Sequence, residues 1–299
     1  MAIVLGAHQY GKAETRLVRL VRDAPVHRII DLNVSSALRG DFDAAHLEGD
    51  QRNVLPTDTQ KNSAFVWARR VPPEPIEPYG IALARHFVDD VGPVHAARVE
   101  IERYEWDRVT VDGQPHPHTW ARRGPEVRTA AITVGAGPVQ VVQGVKDLVV
   151  LKSTGSAFRN FLVDEYTTLQ PTDDRIMATS LTARWRLTDP APETDWDGIH
   201  AGVLAAMLDR FANLHSLALQ QTLWEMGRAA LEAFPAIAEI RLVAPNKHHF
   251  LVDFARFGLP NPGEVFHADD RPYGLIQASA VREGAPDAGD AWYGFSGLV

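Results

Sequence analysis

The sequence predicts an α+β fold built from two successive strand-strand-helix-helix-strand-strand units. Three observations carry this. Strand-like and helix-like segments come in the same order in both halves. The segment after Asp197 shows apolar residues at three- and four-residue spacing, the stripe of a helix lying on a core. Two segments near the start, Thr15 to Arg22 and His27 to Val34, alternate with period two, as half-buried strands do. An antiparallel sheet with its helices gathered on one face is the physical consequence. The halves fall at residues 1–140 and 141–299; they repeat in element order, not in aligned residues.

Thr15 to Arg22 and His27 to Val34 alternate as a hairpin does. Asp58 reads as the N-cap of a helix over Thr59 to Arg70, since its short side-chain oxygen suits the free amides of a first turn. Prolines 72, 73, 75 and 78 interrupt the chain, and a second helix is expected from Glu77 to Val91. Strands follow at Val94 to Arg108 and Glu126 to Val134, with a turn-rich linker, Asp112 to Gly124, between them.

In the second half, strands are expected at Asp147 to Lys152 and Ser180 to Leu187. Asp197 reads as the cap of a helix carrying Ile199, Val203, Leu204, Met207, Leu208 and Phe211. Leu214-His215-Ser216 marks a break, and a second helix runs from Leu217 to Phe234, ending at Pro235. Strands return at Glu239 to Val243 and His249 to Phe254.

Composition narrows the function. The chain has 299 residues, 45% hydrophobic and 23% charged, the balance of a globular protein. It has no cysteine, which excludes thiolate nucleophiles, thiolate zinc sites and disulfides. The net charge of −8 argues against nucleic acid, whose binders present basic surfaces. No apolar run is long enough to span a bilayer. Met1 to Gly11 lacks the basic start and apolar core of a signal peptide, and Ser296 to Val299 is not a Ser-Lys-Leu address, so a cytoplasmic location is expected. Gly135-Ala136-Gly137 is followed by Pro138 and forms no dinucleotide fingerprint; no phosphate loop or nucleophile elbow is present.

Thr154 to Arg175 has no regular period and lies between two strands. A long irregular segment of this kind is functional or disordered, and Phe158, Phe161, Leu162, Tyr166 and Leu169 carry too much apolar surface for disorder. A flat ring and an arginine on one ordered loop suit a flat, acidic small molecule; a packed surface loop with a structural arginine fits the residues equally well. Pro56 to Asn62 lies at a strand-to-helix turn, a place for a cap or for a bound anion. Lys12 is an ordinary surface lysine unless burial makes it a base. His116 and His118, and the pair His248 and His249, raise a metal site, but no third ligand stands beside either pair.

Taken together, these segments resemble urate oxidase (uricase). The residues that carry the resemblance are Tyr10-Gly11-Lys12, Thr57 to Asn62, Asp112 to His118, Leu151 to Thr154, Asp164 to Leu169, Asp174-Arg175-Ile176, Ala218 to Thr222, Pro245 to Phe250 and Pro272 to Ile276. They occur in the family's order. The resemblance implies the tunnelling fold, with two tandem ββααββ units per chain whose protomers close barrels and stack as a homotetramer. It implies oxidation of urate by O₂ to 5-hydroxyisourate and hydrogen peroxide, with no metal or organic cofactor and with sites between subunits. It implies that Phe158 stacks on the purine, that Arg175 and Gln220 clamp its polar edge, and that Leu219 offers its backbone there. Asn246 would face the oxygen or water site. Lys12, Thr57 and His248 would form a proton relay, assisted by the backbone of Asp58. A zinc-dependent pterin or purine enzyme of the same fold, and a purine-binding protein without turnover, are the alternatives.

Overall fold

The computed structural model describes residues 2–294. Residues 296–299, considered above for a targeting signal, lie outside them. The chain forms two compact units: one holds the residues up to 144, residues 186–198 and those from 285 on, and the other holds residues 145–185 and 199–284.

In the first unit, β1 (Tyr10–Val21) and β2 (Arg28–Gly40) are paired antiparallel. A short helix α1 (Asp43–Leu47) precedes the two long helices α2 (Thr57–Arg70) and α3 (Ile76–Asp90). Then come β3 (Val94–Tyr104), β4 (Trp106–Val111), β5 (Gln114–Arg122) and β6 (Val127–Val134). The sheet order is β1-β2-β3-β6, and each of these pairs is antiparallel. Helix α3 turns Ile76, Tyr79, Leu83, Ala84 and Phe87, all fully buried, onto β3 and β6. Each large side chain buried this way contributes about 1.5–3 kcal/mol relative to exposure. The core also holds a polar knot. Arg128 on β6 donates to both carboxylate oxygens of Glu77 on α3, at 2.9 and 3.1 Å, and Gln143 Nε2 donates to the same carboxylate at 2.7 Å.

In the second unit the elements are β7 (Gln140–Lys152), β8 (Met177–Leu187), α4 (Trp196–Asn213), α5 (Leu219–Ala233), β9 (Ile237–Leu251), β10 (Phe266–Asp269) and β11 (Leu275–Val281). Strand β7 begins, β8 ends and α4 begins within the first unit. The order is β7-β8-β9; β9 pairs antiparallel with β11 over residues 239–245 and with β10 over 248–251. Helix α5 buries Leu219, Leu223, Met226, Ala230 and Leu231 and packs on β9 and β11. The α+β class and the antiparallel strand pairing match expectation.

Four local expectations are corrected. Asp58 is not a cap: the helix starts at Thr57 with Pro56 at the cap position, and the Asp58 carboxylate instead accepts from Lys61 and Asn62. Asp197 is not a cap either. Asp195 accepts the Gly198 amide at 3.0 Å, and Asp197 accepts from Arg128. The expected linker over 112–124 is a hairpin, with β4 and β5 joined through Asp112 and Gly113 at φ of 51° and 76°. That two-residue turn suits strand twist. Pro115 and Pro117 are tolerated because each strand of a two-stranded sheet is an edge. Finally, Glu239 to Val243 and His249 to Phe254 are not two strands, since β9 runs unbroken from 237 to 251.

Gly11 is fixed by close approach. A Cβ there would lie 1.8 Å from the Ser36 carbonyl oxygen on β2. Gly11→Ala is therefore expected to open the start of β1, at a cost of about 1–3 kcal/mol typical of overpacking. A lowered melting temperature together with lost activity checks this; an unchanged melting curve contradicts it.

Candidate active site

A cavity of about 860 Å³ opens in the second unit, and six of the predicted residues line it: Phe158, Arg175, Leu219, Gln220, Asn246 and His248. Three parts of the fold bring them there.

The first part is the irregular segment between β7 and β8. Its two legs are zipped together where they leave the strands. Phe158 N donates to Thr172 O and Thr172 N to Phe158 O, both at 2.9 Å. Deeper in, the Asp174 carboxylate accepts from Thr154 Oγ1 and from the Ser156 amide. The Thr154 hydroxyl holds that carboxyl below its usual range, with the Ser156 amide adding to it. Phe158 and Arg175 thus sit on facing legs, and the Arg175 guanidinium carbon lies 5.2 Å from the Phe158 ring centroid. Arg175 Nε is buried and has no hydrogen-bond partner among the described residues. Burial alone lowers the guanidinium pKa. A desolvated guanidinium with an unsatisfied donor is costly to keep, so this one is set for an anion that supplies the missing acceptor.

The second part is the start of α5. Its cap position is Ala218, which offers no side-chain cap. The first intrahelical bond runs from Thr222 N to Ala218 O. The amides of Leu219 and Gln220 therefore have no partner within the helix. They lie at the positive end of its dipole, where negative charge is favoured. The third part is β9. Asn246 is held by its amide on Gly274 O at 2.8 Å. The His248 ring is stacked on Phe250 at 5.6 Å.

Lys12, Thr57 and Asp58 belong to the first unit and form their own group. Tyr10 at the head of β1 donates its hydroxyl to Leu55 O at 3.1 Å, two residues before α2. Ser36, the strand partner of Lys12, donates to Gln60 of α2 at 2.8 Å. Past Lys12 the register slips by a bulge, with Glu14 at φ 54°, a device that re-aims side chains. The result is Lys12 close to the first turn of α2. The Asp58 carboxyl is held low chiefly by Lys61, with a smaller contribution from Lys12. Like α5, α2 has no side-chain cap, so the Thr57 and Asp58 amides are available to a ligand.

Sequence reasoning missed other lining residues, among them Ser153, Thr172, Phe250, Phe266 and Ile276. All of these but Phe266 stand inside segments already singled out, which was the only signal. Among the described residues no three histidine or acidic side chains gather so as to hold a metal ion. None of the described helices is long and apolar enough to cross a membrane.

A ring to stack on, a forked donor without a partner, backbone amides at an uncapped helix start and two carboxamides together recognise a flat anion with several acceptor atoms on one edge. Comparison with known proteins points the same way. The family model described as Uricase matches residues 8–133 and 141–277. A uricase of Arthrobacter globiformis is 48% identical over 99% of this chain and 96% of its own length, and one of Cyberlindnera jadinii is 33% identical over 95% and 98%. A crystal structure of the Arthrobacter globiformis uricase superposes with a TM-score of 0.90, covering 96% of this chain and 98% of that one. The chain belongs to the uricase family.

Proposed function

We propose that this chain oxidises urate with O₂ and water to 5-hydroxyisourate and hydrogen peroxide, without metal or organic cofactor. Within a uricase chain, the observation that carries the site assignment is the partnerless Arg175 donor beside the Phe158 ring and the uncapped start of α5. Urate is planar and anionic. Stacking on Phe158 adds about 0.5–1.5 kcal/mol beyond burial. Arg175 presents a donor fork of fixed geometry to the polar edge, and the Gln220 carboxamide and the Leu219 amide complete the clamp. Asn246 faces the oxygen or water above the ring.

Lys12 and Thr57, with water and His248, accept the further proton whose loss makes the ring electron-rich. The Asp58 amide steadies the same edge. The ring then gives up two electrons and, in all, two protons. O₂ takes them as hydrogen peroxide, and water adds across the ring with its hydroxyl on C5. The substrate is its own reductant, so the reaction written this way calls on no redox cofactor.

The two repeats, 1–140 and 141–299, are read as the halves of a tunnelling fold. Two protomers would close a barrel, and two barrels would stack as a homotetramer. Closure removes exposed sheet edges, which supports this reading. In that assembly Lys12 and Thr57 of one protomer meet the Phe158 cavity of its neighbour.

Urate absorbance followed under air, on protein exhaustively chelated and checked by elemental analysis, tests the whole reading. The expected result is the full rate of urate loss with stoichiometric peroxide. Activity that vanishes and returns only with zinc would mean a metal enzyme of the same fold. Urate that binds without disappearing would mean a purine-binding protein.

A further inference from the structure

The start of α5 sets a mechanical problem. A Ser, Thr, Asp or Asn at the cap position would fix the corner, but its side chain would consume a first-turn amide, that of Gln220 or Gln221, next to the clamp. Ala218 stands there instead, so something other than a cap must hold the turn.

Two hydroxyls occupy that role. Ser216 and Thr222 are both fully buried, and their hydroxyl oxygens lie 2.7 Å apart. Each also reaches the Ala218 carbonyl, at 3.1 Å. The pair therefore grips the cap residue by its carbonyl and leaves the Leu219 and Gln220 amides free. Ser216 is also braided into the other wall of the cavity. Its amide donates to Gly155 O at 2.9 Å, and its carbonyl accepts from Ala157 N at 2.7 Å. Phe158 follows directly. One residue thus joins the leg that carries the stacking ring to the helix end that carries the clamp.

Burying two hydroxyls carries a desolvation cost that apolar residues of the same shape would not incur. What the polar pair adds is one defined geometry for the corner. We propose that Ser216 and Thr222 are positioning residues for substrate binding, holding the Leu219–Gln220 end of α5 at a fixed distance from Phe158 while keeping its amides unconsumed. This rests on the function proposed above.

The test measures urate binding at equilibrium under nitrogen, where oxidation cannot run, alongside steady-state kinetics and melting curves in air. The variants are Thr222→Val, which keeps the shape without the hydroxyl, Thr222→Ser, which restores it, and Ser216→Ala. Thr222→Val and Ser216→Ala are expected to raise the urate Kd about five- to tenfold, the scale of one hydrogen bond's worth of fixing. Thr222→Ser should stay within about twofold of the parent. Turnover at saturating urate should change little in all three, because Lys12 and Thr57 lie on the other unit. A lowered melting temperature with an unchanged Kd in Thr222→Val overturns the proposal, as does a Kd in Thr222→Ser as weak as in Thr222→Val. If Thr222→Val does not fold, Ser216→Ala decides by the same Kd. Failure of the parent protein to bind urate would bring down the functional reading and this one together; parent-like binding in the variants removes the positioning role alone.

Discussion

Lys12→Ala and Thr57→Ala are each expected to lower urate turnover by about 10²–10⁴-fold, the usual contribution of a positioned proton acceptor, while urate still binds. Binding should survive because the stacking ring and the clamp line a cavity in the other unit. Chemistry should not survive, because the ring becomes a good reductant only once its proton has gone. The double variant should be little worse than either single one, since two groups that act as one relay lose its function together. Steady-state rates for the two single variants and the double variant check this. Fully multiplicative losses would mean two independent roles. Lys12→Arg offers a finer control: it keeps the charge near Asp58 but cannot give up its proton, so it should be as slow as Lys12→Ala.

The legible parts of this fold are those governed by periodicity. Helix α4 declares itself because Ile199, Val203, Leu204, Met207, Leu208 and Phe211 recur at three- and four-residue spacing, and the structure buries Val203, Met207 and Phe211. Strand β9 was read as two pieces because its middle, Pro245 to His249, is polar. That polarity belongs to the site: Asn246 through His249 line the cavity, and residues chosen for a ligand do not follow the alternation that burial imposes. The hairpin of β4 and β5 was missed for the opposite reason. A two-stranded ribbon buries little on either face, so no alternation is required of it, and two prolines argue against any strand.

The site was legible only in assembly. No pattern separates Arg175 from a structural arginine on a surface loop, and only the family's ordered segments single it out. The structure adds the physical distinction, which is that this guanidinium is half-buried with an unpartnered Nε. Arg159, by contrast, is exposed and paired with Asp173. Nor could the sequence show that both α2 and α5 begin without a side-chain cap.

Arg175→Lys is expected to weaken urate binding by a large factor, on the order of tenfold or more, despite keeping the charge. The guanidinium offers a planar pair of donors to two acceptors on one edge, whereas an ammonium is a compact point charge that is more strongly hydrated and pays more to be buried. Leaving one substrate acceptor unpaired in a desolvated cavity adds its own penalty of about 1–3 kcal/mol. Equilibrium binding of urate under nitrogen measures the loss, and an unchanged Kd would remove Arg175 from the site. Arg175→Ala then makes a second test possible, because it is inactive for a different reason from Thr57→Ala. The two residues lie in different units. If each site joins the first repeat of one chain to the second repeat of its neighbour, an oligomer containing both kinds of chain has some sites carrying neither substitution. Unfolding the two inactive proteins, refolding them as a mixture and assaying urate loss should then recover part of the parent activity. Mixed oligomers demonstrated by mass spectrometry but devoid of activity would mean that every site is built within a single chain. The relay would then have to reach the Phe158 cavity without crossing a subunit boundary.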